Sequence, residues 1–284
     1  MISRTRTDIA GGPLGELPIG YDPNFGYETR WVRCPFAGEI KANEFVCADN
    51  LSVLQALNGA SIDLIYGDPP FFSGRQYQKD EAKFSDTWPG GLSDYLSWLN
   101  VRLIEMRRVL KPSGMIYIHL DGHASHYVKI EMDKIFGESC FLNNVVWCYG
   151  LGGSSSRYWP RKHDDILVYS REPNGHFFEA DRVPATSQRM KGKDKKATDF
   201  WDIPTLNNMA IERLGYPTQK PEVLMERIVK SSCPPGGIVA DFFAGSGTTA
   251  AVSERLGFSW ISCDSSPVAI EMARKRLVTL RNQG

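Results

Sequence analysis

Two short segments of this chain carry residue types that could do chemistry. The first is Asp68-Pro69-Pro70-Phe71, directly after the apolar run Ile62 to Tyr66. An amino group on an aromatic ring keeps its lone pair delocalised, so reaction there requires turning that pair toward an electrophile. Two acceptors, one for each N–H, would do so. Asp68 offers a carboxylate and Pro69 a carbonyl. Consecutive prolines have fixed φ and no N–H, which holds that carbonyl rigidly. Phe71 adds a flat face on which a base turned out of a duplex can stack. No strong base is required, because the proton can leave after the new bond to nitrogen has formed.

The second segment runs Ile238-Val239-Ala240-Asp241-Phe242-Phe243-Ala244-Gly245-Ser246-Gly247-Thr248-Thr249. It reads as a strand, a glycine turn and a helix start, and the next strand, Trp260 to Cys263, ends at the acid Asp264. The glycines let backbone approach a ligand, and Asp264 can take both hydroxyls of a ribose. A dinucleotide fingerprint would need a third glycine, and a phosphate loop would need Gly-Lys-Ser/Thr; neither is present. The expected ligand is therefore a nucleoside without phosphates, of which S-adenosylmethionine is the common one.

Other features point to no further chemistry. His119, His123 and His126 fit no zinc spacing and are expected at a strand end and helix start, with no metal bound. The six cysteines include no Cys-x-x-Cys pair, which argues against a zinc ribbon or a disulfide framework. Net charge is zero, with 33 acidic and 33 basic residues, so any nucleic-acid footprint must be local. The basic run Arg189, Lys191, Lys193, Lys195 and Lys196 is the candidate for contact with DNA phosphates. Trp88, Trp159 and Trp201 are expected as core or loop anchors. With no apolar leader and no long apolar stretch, the chain is expected to be soluble and cytoplasmic.

The elements that must position these residues alternate. Short strands are expected at Phe45 to Ala48, Ile62 to Tyr66, Met115 to Leu120, Val145 to Cys148, Ile238 to Phe242 and Trp260 to Cys263. Leu92, Tyr95, Leu96, Leu99, Leu103, Met106 and Leu110 recur at helical spacing, and Lys111-Pro112-Ser113-Gly114 stops that helix. Further helices are expected at Ser125 to Phe136, Glu222 to Ser231 and from Thr248. This pattern predicts an α/β, doubly wound, mostly parallel Rossmann-like sheet. Residues 1–43 read as an arm rich in Gly and Pro, 44–149 and 216–284 as the catalytic and cofactor-binding domain, and 150–215 as an insertion with one strand at Ile166 to Tyr169.

The chain resembles the amino-methylating DNA methyltransferases of restriction–modification systems, in the β class, where the tetrapeptide precedes the cofactor loop. Asp68-Pro69-Pro70-Phe71 matches the catalytic tetrapeptide, Phe243 to Gly247 the cofactor loop and Asp264 the ribose acid. Pro217-Thr218-Gln219-Lys220-Pro221 matches a segment lining the methionine end of the cofactor, with Tyr216 where His is usual. Asp49-Asn50 matches a segment near the cofactor adenine. The resemblance implies base flipping in double-stranded DNA, target recognition by 150–215, and methylation of adenine N6; cytosine N4 is the alternative, though Ser in place of Asp68 is favoured there, and a non-catalytic DNA-binding protein on the same fold is a further one. It also allows a companion restriction endonuclease and a homodimer, and leaves a solitary enzyme equally open. No Pro-Cys dipeptide is present, which excludes the cytosine-C5 mechanism.

Overall fold

The computed structural model describes residues 36, 38–79, 82–150, 154–185, 187–207 and 209–283. Most of the expected arm, 1–43, lies outside them. In chain order the elements are β1 (Glu44–Cys47), α1 (Asn50–Ala56), β2 (Ile62–Gly67), β3 (Gln76–Lys79), β4 (Ala82–Ser85), α2 (Gly91–Val109) and β5 (Leu110–Leu120). Next come α3 (Ser125–Phe136), β6 (Phe141–Cys148), β7 (His163–Ser170), β8 (Arg182–Pro184), β9 (Asp194–Lys196) and β10 (Phe200–Asp202). The last are α4 (Glu222–Ser232), β11 (Ile238–Asp241), α5 (Thr248–Arg255), β12 (Ser259–Asp264) and α6 (Pro267–Gln283).

Eight strands form one sheet in the order β1-β12-β11-β2-β5-β7-β6-β10. Only β7 runs against its neighbours, β5 and β6; the other pairings are parallel. Helices cover both faces, as a mostly parallel sheet of apolar strands requires. The α2 stripe Tyr95, Leu96, Leu99, Leu103 and Met106 is fully buried and packs with Leu54 of α1 and Val128 and Met132 of α3. On the other face Leu224 and Ile228 of α4, Ala250 of α5 and Ala273 of α6 close a second core.

The sheet departs from the sequence pattern in two places. The helix of Leu92 to Leu110 does stop before Lys111, but no loop follows: β5 begins at once and includes Lys111 to Gly114, with an irregular register against β2. The span 150–215 is not set apart from the sheet. Its expected strand is β7, wedged between β5 and β6, and β10 adds the edge strand. Chain order hid this, because a strand's pairing partners are chosen by packing across the sheet. Buried along most of its length, β7 has to lie inside the layer.

Candidate active site

Strands β2 and β11 are neighbours, yet the helices that follow them, α2 and α5, lie on opposite faces. Their loops part at the carboxyl edge, and a crevice opens there, as at the switch point of other open α/β sheets. A cavity of about 260 Å³ fills it. The structure brings Asp49, Asp68, Pro69, Pro70, Phe71, Thr218, Lys220, Asp241, Phe243, Ala244, Gly245, Ser246, Thr248 and Asp264 around this one space.

The glycine-loop side is held mainly from its own strand, turn and helix and from the next strand. The buried Asp241 carboxylate accepts the Phe243 N–H at 2.9 Å and the Thr249 hydroxyl at 2.6 Å. Burial pushes its pKa up to about 7. Asp264 accepts N–H groups from Gly245 at 2.9 Å and Ser266 at 2.8 Å, and burial raises its pKa also. Gly245 (φ 49°) lies under Tyr216, where a Cβ would be 3.1 Å from the ring. Gly247 behaves differently from expectation. It is not among the residues lining the cavity. Its φ is 73°, and a Cβ there would fall 2.6 Å from the Ala273 Cβ of α6. Packing against α6 and the left-handed backbone already require a glycine there.

Asp49 caps α1 by accepting the Leu51 N–H at 2.9 Å and pairs with Arg102 at 2.9 Å. Asn50 donates to the Phe242 carbonyl at 2.9 Å, tying α1 to the glycine loop. The Arg102 guanidinium lies 4.0 Å from the Trp98 ring centre, and Trp98 leans on Phe243 at 6.1 Å. These rings form an aromatic wall of the cavity.

The tetrapeptide side is assembled from distant residues. Lys220 donates to Asp68 Oδ2 at 2.5 Å and stands 5.4 Å from the Phe71 ring centre. Asp68 Oδ1 is buried and has no hydrogen-bond partner among the described residues. The Pro70 carbonyl accepts the Tyr95 hydroxyl at 2.8 Å. Beneath Phe71 lies the His119 ring, 5.8 Å away and tilted by 26°. His119 is fully buried, with Tyr66 Oη 2.8 Å from Nδ1 and Asp164 Oδ2 3.0 Å from Nε2. Burial alone would raise the Asp164 pKa; the bond and charge of His119, the Lys220 charge and the Tyr149 hydroxyl together bring it below the usual value.

Among the described lining residues there are five carboxylates (Asp49, Asp68, Asp86, Asp241 and Asp264) and one cation, Lys220, engaged with Asp68, while Arg102 pairs with Asp49 from behind the wall. Such a site repels phosphates and favours a ligand carrying positive charge. With an aromatic wall and Asp264 at the end of β12, it suits a cationic nucleoside. No cluster of metal-ligating side chains occurs among the described residues.

The DNA methylase family model matches residues 62–275. The chain is 31% identical to type II methyltransferase M.HpaI of Haemophilus parainfluenzae over 236 residues, covering 82% of this chain and 73% of that protein. It is 27% identical to DNA adenine methyltransferase YhdJ of Escherichia coli over 255 residues, covering 84% and 83%. The fold matches that of PvuII DNA methyltransferase (cytosine-N4-specific), with a TM-score of 0.63, 17% identity and coverage of 86% and 93%. It also matches M1.HpyAVI in complex with S-adenosylmethionine, with a TM-score of 0.58, 19% identity and coverage of 82% and 98%.

The chain belongs to the N6/N4 DNA methylase family. Sequence reasoning missed several residues of this methylase site. Asp86, Tyr95, Trp98 and Arg102 line or brace it from the end of β4 and from α2, and Asp164 of β7 acts on it only through His119 behind Phe71. Helical spacing marks Tyr95 as core, and nothing marks its hydroxyl. Sequence places His119 only at a strand end.

The expected DNA-contacting run falls on the β8–β9 hairpin. Arg189, Lys191, Lys193 and Lys196 are exposed there and Lys195 is half-buried. The hairpin is tied near its base to α4 by Arg227 to Asp181 at 2.9 Å and Glu179 to Ser231. Ser231 lies at the end of α4 that leads into β11, the edge of the sheet opposite the cavity. A second basic segment lies on the cavity edge. It joins the end of β6 to the start of β7 and carries Arg157, Tyr158, Trp159, Arg161 and Lys162. Trp159, expected as an anchor, is 93% exposed. No helix among the described residues is long and apolar enough to cross a membrane.

Proposed function

We propose that this methylase transfers a methyl group from S-adenosylmethionine to the exocyclic N6 of adenine in double-stranded DNA, after turning the base out of the helix. The observation that carries this is Asp68 Oδ1: a buried acceptor without a partner among the described residues, on a side chain that lines the same cavity as the glycine loop. Bound there, S-adenosylmethionine supplies a methyl group on a positively charged sulfur. Asp264 and Asp49 would hold its nucleoside, and the surplus of carboxylates favours its charge.

Lys220 fixes Asp68 by one oxygen and leaves the other to accept one N–H of the target amine. The Pro70 carbonyl is occupied by Tyr95, so the Pro69 carbonyl is the proline oxygen left to accept the second N–H. Phe71, backed by His119, provides the surface on which the base stacks. With both hydrogens held in the plane of these acceptors, the nitrogen lone pair faces the methyl group. The nitrogen bonds the methyl carbon as the carbon–sulfur bond breaks, and the proton then leaves toward Asp68 or solvent.

Asp at position 68, and the likeness to an adenine methyltransferase, favour adenine. Duplex DNA would meet the cavity edge, where Arg157, Trp159 and Arg161 are exposed. A companion endonuclease of matching specificity and a second copy of the chain are both compatible with this activity. Incubation with labelled cofactor and mixed-sequence DNA, followed by digestion, tests it: the product should be N6-methyladenine. N4-methylcytosine alone would overturn the choice of base, and an unlabelled digest would overturn the reaction.

A further inference from the structure

Asp86 is 1% exposed, yet it is a charged side chain 15 residues beyond the tetrapeptide. Its two oxygens receive five hydrogen bonds. Three are from consecutive backbone N–H groups: Phe71 at 3.2 Å, Phe72 at 3.0 Å and Ser73 at 2.7 Å. The others are from the Ser73 hydroxyl at 2.7 Å and Trp88 Nε1 at 3.1 Å. Three successive N–H groups converge on one anion only when the backbone curls into a nest. Phe72 is the residue that curls, with φ of 59°, a left-handed conformation that a bulky side chain seldom adopts. The carboxylate therefore holds a strained turn immediately after the residue on which a base would stack.

The same side chain connects this turn to the cofactor side. Trp88, which donates to Asp86, packs on Tyr95 at 5.2 Å and on Trp98 at 5.2 Å. Tyr95 holds the Pro70 carbonyl, and Trp98 touches Phe243 of the glycine loop. A carboxylate that served only to close the β3–β4 hairpin would not need this, since backbone bonds between Gly74 and Asp86 and between Asp86 and Arg75 already close it.

We propose that Asp86 is a positioning residue for methyl transfer: it anchors the turn at 71–73 and so sets Phe71 and the proline carbonyls against the target amine. This rests on the methyltransferase reading above. Asp86→Asn is the discriminating change, because the amide keeps size and packing. Whichever way it turns, its NH₂ faces two or more of the N–H donors. Misplacing a reacting group by about 1 Å costs on the order of a hundredfold in rate.

Wild-type turnover on duplex DNA is measured first, so failure of the methyltransferase reading shows as an inactive wild type. The clamp is then read from the ratio of variant to wild type. D86N should lower kcat about a hundredfold, with KM for DNA and calorimetric cofactor affinity within about threefold of wild type. A fluorescent base analogue placed at the mapped target should also lose its signal on addition of D86N. Turnover within threefold of wild type would overturn the proposal. So would parallel loss of cofactor affinity and kcat, which marks a general structural role. If D86N does not fold, Trp88→Phe carries the test, since it removes one donor to Asp86 and keeps a ring between Tyr95 and Trp98. W88F should turn over about tenfold more slowly, and a wild-type kcat would overturn the proposal.

Discussion

Two loops lie side by side at one edge of the sheet and are held in opposite ways. The glycine loop takes most of its hydrogen bonds from nearby: Asp241 reaches two residues ahead to Phe243 and eight to Thr249, Asp264 ends the very next strand, and Asn50 adds a long-range tie to Phe242. The loop at Asp68 draws on Asp86, 15 residues past Phe71, and on the more distant Tyr95 and Lys220, 25 and 152 residues from the groups they hold. Its backing ring, His119, comes from β5 and is itself fixed from β7. A cofactor pocket can use a stretch of backbone as its frame. A site that must orient both hydrogens of an amine needs groups converging from several directions, and these come from separate elements.

This contrast can be broken most sharply at Asp68. Asp68→Ala should leave cofactor affinity within a fewfold of wild type, because the glycine loop does not depend on it. Transition-state stabilisation should fall by about 3–4 kcal/mol, several hundredfold in kcat. Single-turnover methylation and calorimetry on the same variant check both halves. Normal methyl transfer by D68A would remove the chemistry assigned to the tetrapeptide.

Gly247 tests whether the glycine loop is local in every part. Gly247→Val puts a Cβ against Ala273 and forces a branched side chain to positive φ, so it should destabilise the fold by roughly 2–3 kcal/mol. A denaturant titration measures this. A stable variant that merely lost cofactor binding would place that side chain in the cavity instead.

Asp241 sharpens the comparison through pH. Its pKa in the folded chain is about 7, above the ordinary carboxylate value of 3.8, and desolvation is the main cause. Below about pH 4 the group is protonated in both folded and unfolded chains and has no effect on stability. Between about pH 4 and 7 the unfolded chain ionises first, so stability declines as pH rises, and the full cost persists above pH 7. Asp241→Asn should flatten that decline and stabilise the cofactor-free chain at pH 8 by about 1–2 kcal/mol. Thermal melts across pH 4–8 follow it; a steeper decline in D241N would reverse the assignment.

The smallest expected effect separates the two basic segments. Replacing Arg157, Arg161 and Lys162 by Ala should flatten the salt dependence of DNA binding by about one unit of slope for each phosphate no longer neutralised. The same change at Lys191, Lys193 and Lys196, on the β8–β9 hairpin, should leave the slope alone. The opposite result would move the DNA onto the hairpin.

Much of this was legible because it is local. The tetrapeptide and the glycine turn each follow an apolar strand, and the α2 stripe from Leu92 to Met106 recurs at the period of a helix against a sheet. Residues of that kind declare themselves by neighbours within about ten positions. Asp86, Tyr95 and His119 did not, since an acid after a short strand, a tyrosine in an apolar stripe and a histidine at a strand end have no spacing that marks a role. Trp159 is misread for the same reason: spacing cannot show whether a tryptophan in a loop faces inward.

The sequence by itself determined the class of sheet, the two loops and the chemistry their residue types permit, because strand, turn and helix preferences act over short stretches of chain. Only the tertiary structure decided that β7 and β10 belong to the sheet, that Lys220 meets Asp68, that Gly247 serves packing, and that one buried carboxylate anchors the turn after Phe71. Each of those depends on which surfaces bury against each other, and burial is settled by the whole layer at once.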